Sequence, residues 1–157
     1  MRYHHFQQQS PDSSLAACLE SIIKLRKIFE PSQKEILAIT GKDNTANLES
    51  VQEVLQKYLL KARHRTPFPT KQQTNKFLGE ELKSSQDLIV YRNLEHAPRH
   101  YSLIEKYNSE QITLLDPAQE RKQRLVILPD ELFESMALSN PGNAGFYVIE
   151  DNSRSGP

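Results

Sequence analysis

The chain has 157 residues, of which 37% are hydrophobic and 25% charged, a composition that fits one soluble globular domain. Its 20 basic and 20 acidic residues cancel, so no net field steers it toward nucleic acid or a membrane surface. The single cysteine excludes an intrachain disulfide and a zinc site built on several thiolates, and no run approaches the roughly 20 apolar residues of a membrane helix.

Residues 2–12 read as an extended lead-in, and its first six residues lack the apolar stretch of a secretory signal. Asp12 or Ser13 is placed to cap the helix that follows. Leu15, Leu19, Ile22 and Ile23, with Leu25 and Ile28, give that helix an apolar stripe to about Phe29. Pro31 stops it, Ser32 caps a second helix carrying Ile36, Leu37 and Ile39, and Gly41 ends that one. Thr45 or Asn47 starts a third helix with Leu48, Val51, Val54, Leu55 and Tyr58 on one face. A strand over 59–66 precedes Pro67 and Pro69, and a fourth helix runs from Thr70 to Lys83, weakened by Gly79.

The period then changes. Leu88–Tyr91 is a continuous apolar run, as expected of a central strand. Tyr101–Tyr107 and Gln111–Leu115 flank Asn108 and Ser109 and read as a hairpin. Arg124–Leu128 is a further strand, Asp130–Ala137 a short helix behind Pro129, and Phe146–Ile149 a last strand. Helices first and strands later predict an α+β domain with the N-terminal helices packed on an antiparallel sheet. That domain is expected to span 1–150, leaving 151–157 as a flexible tail or linker stub. The short basic runs Lys61–Arg65 and Arg121–Arg124 read as solvated faces.

One constellation carries chemistry. A nucleophile opening a helix sits where unpaired amides and the helix dipole favour negative charge, and Ser13 occupies that position. Gln7, six residues upstream, could supply one donor of an oxyanion hole, with the amide of residue 13 as the other. His100 and Asp116 fit general base and orienter. A hairpin turning at Asn108 is expected to set position 100 beside position 116. Each residue also has a structural reading: Asp12 and Ser13 as a cap, His100 as a strand histidine, Asp116-Pro117 as a turn opener. Cys18, one turn into the helix, reads as a buried small hydrophobe. His4, His5, His64 and His96 show no metal-ligand spacing, and no Gly-rich phosphate loop is present, so neither metal nor cofactor is expected.

In this order the residues resemble the peptidase C39 family, papain-like domains that trim double-glycine leader peptides. The family's opening Gln, the Asp before the nucleophile and the small-residue helix stand at Gln7, Asp12, Ala16 and Leu19. Its His motif matches His100-Tyr101-Ser102-Leu103-Ile104, and its Asp-Pro motif Asp116-Pro117-Ala118. The resemblance covers residues 5–150 and implies a papain-like fold, a peptide substrate and a link to an ABC-transporter-type export machine. It also implies a cytoplasmic setting without membrane insertion. Two departures matter: Ser13 stands where the family has its Cys, and Ser14 where it has Gly. An engineered Cys-to-Ser trap explains position 13 but not position 14; natural divergence explains both. Three readings remain open at this point: a non-catalytic peptide-binding domain, an active leader peptidase (a trap or a serine variant), and a non-enzymatic interaction module.

Overall fold

The computed structural model describes residues 3–27, 31–84, 86–95, 97–118 and 124–151. Ile28 and Phe29, His96, residues 121–123 of the second basic run and the tail from 152 lie outside them. Helices α1 (Ser14–Lys27), α2 (Gln33–Thr40) and α3 (Leu48–Gln56) come first. Next come β1 (Leu60–Arg65), α4 (Lys71–Lys83), β2 (Asp87–Leu94), β3 (Ala97–Tyr107) and β4 (Ile112–Leu115). The described chain closes with β5 (Leu125–Ile127), α5 (Pro129–Ala137) and β6 (Gly145–Asp151).

The strands form a six-stranded sheet in the order β1-β6-β2-β3-β4-β5, antiparallel at every pairing. Alternation along β2 explains its unbroken apolar run. Ile89 and Tyr91 join the core under α1–α3, while Leu88 and Val90 join a second core under α4 and α5. A strand buried on both faces has no polar side to show. The N-terminal helices therefore do pack on an antiparallel sheet, and α4 and α5 cover its other face.

Local signals set most helix ends. Ser32 Oγ accepts from the Glu35 amide, and Gly41 takes a positive φ of 73° just past α2. Asn47, not Thr45, starts α3 through a reciprocal capping box with Ser50. Thr70 caps α4. The exposed edge of β1 is covered by one side chain: Gln52 accepts from the Ala62 amide at 2.8 Å and donates to the Leu60 carbonyl at 3.3 Å. Its amide group thus stands in for a neighbouring strand. Tyr3 anchors the lead-in through its hydroxyl, which donates to Asp87, a carboxylate also paired with Arg26 at 2.8 Å. Among the described residues no helix is long and apolar enough to cross a membrane.

Candidate active site

The site forms where β4 stops short. The β3–β4 ladder begins at Leu103↔Leu115, whereas β3 extends back to Ala97. Tyr101 is thereby left with an amide beyond the end of β4. The hydroxyl of Ser14 accepts that amide at 3.0 Å, so the N-terminus of α1 docks against β3. Ser13 and His100 each lie one residue before a member of this bond.

The cap of α1 comes from elsewhere in the chain. Asp43, on the α2–α3 connection, takes the amides of Ser14 and Leu15, both at 3.0 Å, and the Ser14 hydroxyl at 2.6 Å. The Asp43 amide donates to the Asp12 carbonyl at 2.9 Å, and Tyr101 Oη donates to the Asp43 carbonyl at 3.2 Å. This corrects the local expectation of a cap by the side chain of Asp12 or Ser13. Asp12 is exposed, and the Ser13 hydroxyl is spent on Ser10, accepting from its amide and donating to its carbonyl, both at 3.0 Å. Burial pushes the Asp43 carboxyl up, while the bonds from Ser14 and Leu15 pull it down.

His100 and Asp116 do meet. His100 Nε2 lies 2.7 Å from Asp116 Oδ1, with both residues buried. The register that brings them together differs from the expected one. A bulge between Ile104 and Lys106 shifts the ladder, and Leu115 pairs with Leu103. Asp116 thus falls one residue past that pair, opposite Ser102, and reaches His100 as a diagonal neighbour on the same face. The Asp116 carboxylate also accepts the Ala118 amide at 2.9 Å, which fixes the turn at Pro117. His5 from the lead-in bonds the Asp116 carbonyl at 2.7 Å, and the Gln8 amide donates to the Pro117 carbonyl at 2.7 Å.

Gln7 is exposed on the lead-in, its carbonyl accepting from Gln33 Nε2 at 2.7 Å. Gln33 also donates to Glu20 and accepts from the Gln9 amide, tying lead-in, α1 and α2 together. Gln8, not Gln7, is the buried member of the Gln run. Cys18 is buried, and burial first, then Asp43 and Asp116, push its thiol up, so it is a neutral core group and no substitute nucleophile.

Sequence reasoning missed two charged residues here. Asp43 sits in a short polar connection with no periodic signal. Arg92 follows the apolar run of β2, and a charge ending such a run is its only trace; it is the register partner of His100. Among the described residues no group of three or more His, Cys, Asp or Glu side chains is arranged to hold a metal ion.

Comparison with known proteins bears on the family and the fold. The sequence model of the peptidase C39 family matches residues 2–136. The crystal structure of a double glycine motif protease from an AMS/PCAT transporter, in complex with the leader peptide, superposes with a TM-score of 0.65 at 16% identity, covering 94% of this chain and 92% of that one. The peptidase domain of Streptococcus ComA, a bifunctional ABC transporter involved in a quorum-sensing pathway, gives a TM-score of 0.65 at 12% identity, covering 94% and 97%. No curated protein matches the chain significantly.

Proposed function

The chain belongs to the peptidase C39 family, and on that footing we propose that it binds an extended peptide at the N-terminus of α1 without cutting it. The observation that carries this reading is the Ser13 hydroxyl, whose proton goes to the Ser10 carbonyl at 3.0 Å rather than to an imidazole. A serine hydroxyl is far less acidic than a thiol, whose reference pKa is about 8.5, so it depends on a base that takes its proton. The Ser14 hydroxyl supports the same reading. It is committed to Asp43 and Tyr101, which makes position 14 part of the packing between α1 and β3.

In this scheme Ser13 fills the nucleophile position, His100 the base position and Asp116 the orienter position, with Gln7 at the oxyanion position. The ligand is a leader peptide or a secretion substrate of the double-glycine class, presented by an ABC-type export machine on its cytosolic side. The neighbour solved with a leader peptide supports that ligand class. The single domain ends near residue 150.

The test is calorimetric titration of the chain with a double-glycine leader peptide, followed by mass spectrometry of the mixture. Saturable one-to-one binding with the peptide intact is expected. Absence of binding, or a peptide cut after its double glycine, would overturn the reading. One observation favours a second reading, a serine peptidase: the buried His100–Asp116 contact at 2.7 Å is in place. That reading requires cleavage by the unmodified chain and its loss in His100→Ala.

A further inference from the structure

Arg92 is a buried charge with no role in the scheme above. It is 6% exposed, and its Nε and Nη1 atoms are buried without a hydrogen-bond partner. A buried cation with unpaired donors is among the most costly groups a core can hold. In the β2–β3 ladder Arg92 is the direct register partner of His100. Residues so placed share a face, with Cβ atoms roughly 5 Å apart. Burial pushes the guanidinium down and Asp116 pulls it up, and a guanidinium stays charged in either case.

An activated nucleophile at position 13 needs the opposite charge arrangement. In a Cys–His pair the S–H bond breaks, its electrons stay on sulfur, and the proton goes to the imidazole nitrogen that does not face Asp116. The imidazole becomes a cation. We propose that Arg92 is a second silencing residue of this site: its fixed charge, across the ladder from His100, opposes the imidazolium that such a pair requires. This rests on the non-catalytic reading above and extends it, because restoring a cysteine at position 13 alone would not restore a reactive thiolate.

Other described groups act on this part of the site. Asp116, beyond β4, touches the imidazole at 2.7 Å. Asp43, on the α2–α3 connection, has its carboxyl pulled down by His100, but that carboxylate is engaged by α1. Cys18 of α1 is a neutral thiol. His5 of the lead-in bonds the Asp116 carbonyl. Arg92 is the cation that the β2–β3 register pairs with His100.

The test compares Ser13→Cys with Ser13→Cys/Arg92→Met and Ser13→Cys/Arg92→Lys. Iodoacetamide alkylation at pH 6 is followed by intact mass, and the unmodified chain controls for Cys18. Ser13→Cys should react as an ordinary thiol. The Met variant should react several-fold faster, and the Lys variant should stay slow because the charge remains. Arg92→Met should also melt no lower than its parent, since two unpaired donors leave the core. Arg92→Gln, also neutral, repeats the comparison if the Met variant misfolds. Equal rates with and without Arg92 would overturn the proposal, as would equal acceleration by Met and Lys. Whether the unmodified chain binds a leader peptide intact is read separately by titration, so the two readings fail independently.

Discussion

Removal of the Asp43 carboxylate should cost far more than removal of an ordinary helix cap. One residue accepts three hydrogen bonds at the N-terminus of α1, at 3.0, 3.0 and 2.6 Å, and it is 5% exposed. Bonds to a charged acceptor contribute about 1.5–3 kcal/mol each, and a buried donor left unpaired costs about 1–3 kcal/mol. The desolvation cost of the carboxylate disappears with it, so the terms do not sum fully. Asp43→Ala is expected to destabilise by about 3–5 kcal/mol, against about 1 kcal/mol for a typical cap. With a urea slope of about 2 kcal/mol/M, the midpoint should fall by roughly 2 M at unchanged slope. The pH dependence gives an independent check. Burial raises the folded-state pKa of Asp43 above its ordinary 3.8. The part of its contribution that comes from this shift is therefore fully present below the unfolded value and is lost as pH rises through the folded value. The gap between the unmodified chain and Asp43→Asn should narrow as pH rises through that window. A loss of 1 kcal/mol or less in Asp43→Ala would show that α1 is held by something other than this tertiary cap, and a gap that widens with pH would show that the bonds from α1 outweigh burial at this carboxyl.

Gly145→Ala places a Cβ 2.8 Å from Tyr91 Oη, 2.9 Å from the Arg65 carbonyl and 3.0 Å from His64 Nε2. Overpacking of this kind should lower stability by about 1–3 kcal/mol, read by thermal melting; an unchanged melting temperature would mean the aromatic row across the sheet adapts freely. Gln52→Ala uncovers the Leu60 carbonyl and Ala62 amide on the outer edge of β1. Concentration-dependent association by size-exclusion chromatography is expected, and a strictly monomeric variant refutes it. Burial, then Arg99, lowers the pKa of His64 from 6.5, so its contribution is fully present above 6.5 and is lost as pH falls through the folded value. His64→Gln should flatten that acid limb in urea titrations at stepped pH.

The parts of the fold carried by local periodicity were legible. The cap at Ser32, the helix start at Thr70, the stop at Gly41 and the apolar run Leu88–Tyr91 are each written in a few adjacent residues. What was not legible depends on contacts between distant segments. Ser13 looks like a cap because nothing in its neighbourhood announces that Asp43, 29 residues after Ser14, takes over the α1 amides. The hairpin register was misjudged because the turn closes between Asn108 and Gln111 rather than around Asn108, and the bulge at Ile104/Lys106 takes back only part of that offset. The meeting of His100 with Asp116 survived that error because the pleat repeats every two residues, so a shift of two keeps the same face.

The persistence of the His100–Asp116 contact beside a serine follows from the structure around it. Asp116 is a turn residue as much as a partner for an imidazole: its Oδ1 accepts the Ala118 amide, and its carbonyl is bonded by His5. These bonds, with the Gln8 amide on the Pro117 carbonyl, fasten the lead-in to the end of β4. Removing Asp116 would leave His100, 2% exposed, without its carboxylate and would free the turn at Pro117. Folding alone is therefore enough to retain the pair, whether or not the site reacts. Ser13 has no such tie, since its hydroxyl bonds only Ser10, three residues away. On the proposed assignment, position 13 is the member of the constellation that can change at least cost to the fold.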